Sequence, residues 1–489
     1  MQKLRPIMFV GTGSDVGKSV INAAFCRIFL QDGYSPAPFK AQNMSLNSYA
    51  TPDGLEIGRA QAVQAEACGI ECSVEMNPIL LKPTDNCNSQ IILQGKSIGN
   101  KSAFEYFIDT DRNLLFNEVI SAFNKLNEKF NPIVIEGAGS ISEINLWDKD
   151  IVNMRIAIET KASTYLIADI DKGGIFASVF GSIELLPQEQ KDAIKGIIIN
   201  KFRGDISLFT EGKKILENLT GKPVVGIIPY FKDIFIEQED SVVLENKTDT
   251  SLNGKINIAV ILLKHMSNFT DFNMLEQLTN VHLYYAMNSK ELLNADIVII
   301  PGSKNTISDL MYLKNSGIDK TILQMYKNGK QIYGICGGYQ MMGKEIRDPH
   351  RVEGNIETLP GLGILPVITT LSKEKKTKQC HFTFLDNKDT GTGYEIHMGE
   401  TNSEIDRPLC KINKKENDGY FLNPQIWGTY IHGIFDNAFV INQILKLLNP
   451  DIKVEFNYKK YKNTNYDKLA NLVRKNIDLK TIYKSLKYD

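Results

Sequence analysis

The sequence predicts an α/β protein made of two doubly wound parallel-sheet domains. Short apolar runs that suit buried strands alternate with helical spacing along most of the chain, the pattern of a parallel sheet with crossover helices. A polar, charged stretch over residues 232–256 interrupts the alternation, and a fresh apolar run starts at Ile256. The length, 489 residues, exceeds what a single hydrophobic core supports. One domain is expected over 1–245, a second over 246–448, and a tail over 449–489.

Composition excludes several classes. Hydrophobic residues at 43% and charged residues at 23% suit a soluble globular chain. A formal net charge of −1 gives no electrostatic case for nucleic acid or an anionic membrane. No apolar run approaches a spanning helix, and the N-terminus runs directly into the first strand, leaving no room for a signal peptide. The seven cysteines are scattered, and Cys68 and Cys72 have no second pair to complete a zinc site. The expectation is a cytoplasmic protein whose thiols mostly act as small buried hydrophobes. Homo-oligomerisation is left open.

The first strand is expected over 7–10 and a helix over 18–30, with Gly11-Thr-Gly-Ser-Asp-Val-Gly-Lys-Ser19 between them. Strand, glycine loop and helix make a phosphate cradle. Gly11, Thr12, Gly13, Asp15 and Gly17 supply backbone, Lys18 a positive charge, and Ser19 a hydroxyl for Mg²⁺. Gly11 and Gly17 enclose five residues, one more than the commonest phosphate loop. A second strand over 35–40 ends at Lys40, a further phosphate-site candidate, followed by Asn43 and a polar loop over 44–58. Helical spacing returns over 57–67, and a short strand and turn are expected near 82–94.

A strand over 132–136 ends in Glu136 and two glycines. Ligands of a parallel sheet sit beyond the carboxyl ends of its strands, so Glu136 is expected to face Ser19 across Mg²⁺. Asp148 and Asp150 precede a helix near Asn153; they meet substrate or metal, or cap that helix. Further strands are expected over 165–170, 196–200 and 223–229.

In the second half, strands over 256–263 and 295–300 lead to Gly334-x-Cys336-x-Gly338. This is the cysteine form of a nucleophile elbow, where a helix N-terminus favours thiolate. A thiol needs a base. His432, at the end of another strand, is the candidate, with His397 as competitor. Backbone N–H groups near Gly302 and Gly337 are placed to hold an oxyanion.

The long phosphate loop and Glu136-Gly-Ala-Gly139 resemble dethiobiotin synthetase and its relatives. Phe39-Lys-Ala-Gln-Asn-Met-Ser-Leu-Asn-Ser48, Asp148-Lys-Asp-Ile-Val-Asn-Met154 and Asp169-Ile-Asp-Lys-Gly-Gly174 resemble one branch, the cobyric acid synthases. The second half resembles a triad-type glutamine amidotransferase domain, with Cys336 matching the nucleophile and His432 the base. Ordinary members carry a glutamate two residues after that histidine; here Ile434 stands there. Glu395, Glu400 or Asp436 orients His432, or nothing does.

The resemblance implies an N-terminal P-loop synthetase domain using ATP and Mg²⁺, and a C-terminal domain taking ammonia from glutamine. It implies a corrinoid substrate, adenosylcobyrinic acid a,c-diamide, amidated at its b, d, e and g carboxylates through acyl phosphates. Asn43, Asp148 and Asp150 become substrate candidates. The rivals are a sister amidotransferase acting on the a and c carboxylates, and a P-loop partitioning ATPase. The latter carries an extra lysine where Gly13 stands here.

Overall fold

The computed structural model describes residues 2–84, 88–102, 104–106, 111–239, 244, 250–385 and 387–488. The first sheet runs Val224–Pro229, Ile194–Phe202, Ser163–Asp169, Ile7–Gly11, Ile133–Glu136, Ala37–Phe39, with every pairing parallel. Ile7–Gly11 is buried along its whole length, as a central parallel strand with both faces covered should be. The helix Lys18–Gln31 covers one face through Ile21, Phe25, Ile28 and Phe29.

Beside this sheet lies a smaller one, of which the sequence showed only the strand and turn near 82–94. Gln42–Met44 pairs parallel with Ile79–Pro83, and Asn88–Leu93 and Lys96–Ser102 follow antiparallel. The region expected to be a plain loop over 44–58 contains a hairpin of Ser48–Ala50 and Glu56–Gly58. Its strands are too short to show alternation, and only their ladder and turn define them.

The second main sheet runs Val281–Ala286, Ile256–Ile261, Ile297–Ile300, Gln331–Ile335, Ile426–Thr429, Tyr420–Asn423; only the last pairing is antiparallel. A third sheet is built on the long antiparallel pair Val367–Phe384 and Thr390–Ser403, and the short strand Ile431–His432 joins its edge. That sheet brings His432 toward the first domain.

The lysine- and asparagine-rich tail is structural. The helices Tyr458–Asn476 and Leu479–Ser485 return to the first sheet, and Leu469, Ala470, Val473 and Ile482 join the core containing Phe25 and Phe29. Arg27 pairs with Asp467 at 2.7 Å and Arg474 with Asp32 at 2.6 Å. The Arg5 N–H donates to Leu486 O at 2.7 Å. The first domain is thus built from both ends of the chain.

The charged stretch after residue 232 is not a solvated linker as far as it is described. Glu237 is buried, 2.7 Å from Arg59 and within hydrogen-bond distance of Tyr458. The expected boundary at 245/246 falls outside the described residues. The domains meet through a reciprocal pair of amides: Ser48 N donates to Asn268 Oδ1 at 3.0 Å, and Phe269 N to Asn47 Oδ1 at 3.1 Å. The six described cysteines are free and buried. Among the described residues no helix is long and apolar enough to cross a membrane.

Candidate active sites

The first site lies where the strand Ile7–Gly11 gives way to the helix Lys18–Gln31. Gly17 has φ +97°, and a Cβ there would come within 2.1 Å of Asn200 Nδ2. That amide donates to Val16 O at 2.8 Å and fastens the loop to the neighbouring strand. Position 17 therefore admits only glycine. Asp15 is also left-handed, with φ 58°, and its carbonyl accepts from Lys201 Nζ at 2.6 Å. Thr12 N donates to Ile167 O at 3.0 Å.

Lys18 Nζ donates to Gly13 O and Gly139 O, both at 2.8 Å. It thus bridges the phosphate loop and the glycines after Glu136. Burial pulls its ammonium down to about 8, against the opposing pull of Glu136. Ser19 Oγ and Lys40 Nζ each donate to Glu136 Oε1 at 2.8 Å, and Gln64 Nε2 donates to Oε2 at 2.5 Å. Burial alone would raise Glu136, but Lys40, Gln64 and Ser19 together hold it below the usual carboxylate range.

A hydroxyl and a carboxylate sharing one hydrogen bond are the hard oxygen donors Mg²⁺ takes. Among the described residues no group of three His, Cys, Asp or Glu side chains could hold a metal alone.

Asn43 Nδ2 donates to Gln61 Oε1 at 3.0 Å and to Glu239 Oε1 at 2.5 Å. Glu239 Oε2 stands 3.5 Å from both Ser19 Oγ and Lys40 Nζ. Glu239 belongs to this site although its sequence neighbourhood reads as a linker. Asp148 is exposed. Asp150 Oδ1 accepts from Val152 N at 2.8 Å and Asn153 N at 3.0 Å, bonds that order the turn before the helix Met154–Glu159, whose N-cap is Asn153 rather than Asp150. Among the described residues no hydrogen bond joins either acid to Ser19, Lys40 or Glu136.

The second site lies at the end of Gln331–Ile335. Cys336 sits at φ 51°, ψ −109°, and the helix Gly337–Met342 starts immediately after it. A side chain in that region is strained, the mark of an elbow held by its surroundings. A Cβ at Gly338 would come within 1.9 Å of Ile300 O, so the elbow lies directly on the neighbouring strand. Gly302 closes against the base, and a Cβ there would lie 3.2 Å from His432 Cε1.

His432 is buried, and its Nδ1 lies 2.7 Å from Asp271 Oδ2. Asp271 Oδ1 accepts from Gly433 N at 2.9 Å. With Nδ1 committed to the carboxylate, Nε2 is the nitrogen left for Cys336, which lines the same cavity as the ring and whose Sγ donates to Ile396 O at 3.6 Å. Burial would lower His432, but Asp271 and Cys336 push it up to about 10. Tyr394 stacks on the ring at 5.3 Å.

The orienting acid is therefore Asp271, which the sequence reading missed, and not Glu395, Glu400 or Asp436. Glu400 is exposed. Glu395 is engaged with Lys376 at 3.2 Å and Lys378 at 3.1 Å. Asp436 is half-buried, and its Oδ1, itself buried, has no hydrogen-bond partner. His397 is set aside as base: its Nδ1 lies 2.8 Å from Gly399 O, its Nε2 3.4 Å from Glu395, and its ring stacks on Tyr430 at 3.8 Å. Asp271 follows the strand Ile256–Ile261 at the ligand edge of the sheet. That position was the available signal.

Comparisons with known proteins agree with both halves. Residues 7–242 match the CobQ/CobB/MinD/ParA nucleotide binding domain, and residues 257–439 the CobB/CobQ-like glutamine amidotransferase domain. The chain is 55% identical over 489 residues to the cobyric acid synthase of Bacteroides fragilis, covering 99% of each. It is 56% identical over 494 residues to that of Parabacteroides distasonis, again covering 99% of each. Against that of Clostridium perfringens it is 46% identical, with 98% of each chain covered. A phosphate loop facing a strand-end carboxylate, a cysteine–histidine–aspartate relay, and full-length likeness to these proteins lead to one assignment: this chain belongs to the cobyric acid synthase family.

Proposed function

We propose that this chain uses ATP and glutamine to amidate the b, d, e and g carboxylates of adenosylcobyrinic acid a,c-diamide, giving adenosylcobyric acid. The observation that carries the reading is the Cys336–His432–Asp271 relay standing in the same chain as Lys18, Ser19 and Glu136. One half of the reaction needs a nucleophile that opens an amide; the other needs a charged cradle that activates a carboxylate.

In the nitrogen-donor half, the Cys336 thiolate attacks the side-chain amide of glutamine. Asp271 fixes the ring orientation, and His432 passes a proton from Nε2 to the departing ammonia. Backbone N–H groups at Gly302 and Gly337 receive the oxyanion. Water then cleaves the thioester and releases glutamate.

In the other half, a substrate carboxylate oxygen takes the γ-phosphoryl group of ATP while Lys18 counters the charge that develops on it. Ser19 and Glu136 would hold Mg²⁺, which would supply charge neutralisation at the phosphates. Ammonia displaces phosphate from the acyl phosphate and leaves the amide. Lys18 must leave its two carbonyl acceptors to meet the nucleotide, an exchange of neutral for charge-assisted partners.

The test is incubation of the protein with ATP, Mg²⁺, glutamine and the a,c-diamide, followed by mass spectrometry and fragmentation. Each replacement of hydroxyl by amine at b, d, e or g supports the reading. Consumption of ATP without new amides overturns it.

A further inference from the structure

The cavity that receives the Cys336 thiol and the His432 ring is also lined by Lys304, Glu353, Lys375 and Lys82. Lys82 comes from the first domain. It and Lys375 both pair with Glu56, Lys82 at 2.8 Å, and Lys82 also donates to Ser48 Oγ at 2.8 Å. Those two ammonium groups share one carboxylate. Lys304 has no ion-pair partner among the described residues. Glu353 uses Oε2 to accept from Ile307 N at 3.0 Å and has no ion pair of its own among them. The cavity wall thus carries a thiol together with a cation and an anion that each lack an ion-pair partner among the described residues.

We propose that Lys304 and Glu353 read the amino-acid head of glutamine, Lys304 taking the α-carboxylate and Glu353 the α-ammonium, within a pocket completed by Lys82 of the first domain. This rests on the proposed use of glutamine. A free α-amino acid carries opposite charges on one carbon, and a paired cation and anion satisfy both with charge-assisted bonds. The side chains are also strained electrostatically as they stand. Burial pulls Lys304 down to about 8 and pushes Glu353 up to about 7, and their mutual attraction offsets this only in part. A bound zwitterion gives each its missing partner.

The test compares three amides as substrates for hydrolysis: L-glutamine, glutaramate, which lacks the α-amino group, and 4-aminobutanamide, which lacks the α-carboxylate. Glu353→Gln is expected to raise KM for glutamine roughly tenfold or more, the scale of a lost charge-assisted hydrogen bond, and to leave KM for glutaramate nearly unchanged. Lys304→Met is expected to raise KM for glutamine and glutaramate but not for 4-aminobutanamide. Both variants should retain ammonia-supported amidation, which reports an intact fold. Unchanged KM for glutamine, or an equal loss with all three amides, overturns the assignment of the head group alone. Absence of glutamine hydrolysis by the unsubstituted protein, or its persistence in Cys336→Ala, overturns the use of glutamine at this site and the head-group assignment with it.

Discussion

At the phosphate loop the charged groups already satisfy one another; at the cysteine they divide into a finished relay and an unfinished pocket. Lys18 is bonded to two carbonyls, and Glu136 accepts from Ser19, Lys40 and Gln64. A nucleotide entering there must exchange those bonds for its own. At the second site His432 and Asp271 are aligned at 2.7 Å in advance, buried, and braced by Tyr394. The first site is arranged to rearrange, whereas the second has its imidazole already held by Asp271. Preorganisation of the kind seen at the second site lowers the reorganisation needed during the chemical step.

The comparison separates the sites experimentally. Cys336→Ser should lower glutamine-supported amidation by on the order of 10⁴-fold or more, the scale seen when a relay loses its nucleophile. Ammonia-supported amidation should persist; equal loss with both nitrogen sources would mean that the two sites are not chemically independent. Asp271→Asn should come next, with glutaminase kcat down roughly 10³- to 10⁴-fold because the imidazole loses its fixed tautomer. A steady-state assay showing a change confined to KM would remove Asp271 from the relay.

Lys18→Ala tests the other half. Amidation should fall about 10²- to 10³-fold with either nitrogen source, the cost of one lost contact to transition-state charge. Hydrolysis of glutamine, followed by glutamate release, should continue. Loss of both activities together would show that the rearranging site also controls the fixed one, through the Asn47–Asn268 contact or another path.

The same contrast explains what the sequence could show. The phosphate loop and the cysteine elbow were legible because each is one contiguous strand–turn–helix whose glycine spacing is imposed by sterics. Glu136 and His432 were legible as strand ends at the ligand edge. Asp271 was not, because it lies 161 residues before His432 and only the tertiary fold joins them. Glu239 was hidden for the same reason, inside a charged stretch that reads as linker. The tail shows a third kind of limit. Tyr466, Leu469, Ala470 and Val473 make an amphipathic stripe, so the helix could be foreseen; the surface it covers, Phe25 and Phe29 of the opening helix, could not.

The smallest effect concerns Asp436, the acid nearest His432 in sequence. Burial pushes its carboxyl from an ordinary 3.8 up to about 8, with Glu237 adding to the shift and Lys462 and Arg59 opposing it. The native state therefore keeps a proton that the unfolded chain gives up near pH 3.8. Its contribution to stability is complete below that value and is lost as pH rises through about 8, at a rate of at most about 1.4 kcal/mol per pH unit. Asp436→Asn carries no such proton, so the fall of Tm with pH across this window should flatten. Glutaminase activity should stay close to that of the parent, since among the described residues the His432 ring bonds Asp271 and not Asp436. A Tm profile parallel to the parent's would show that Asp436 is ionised in the folded protein. Its unpartnered oxygen would then be a buried charge held by Arg59 and Lys462 rather than a neutral acid at the domain contact.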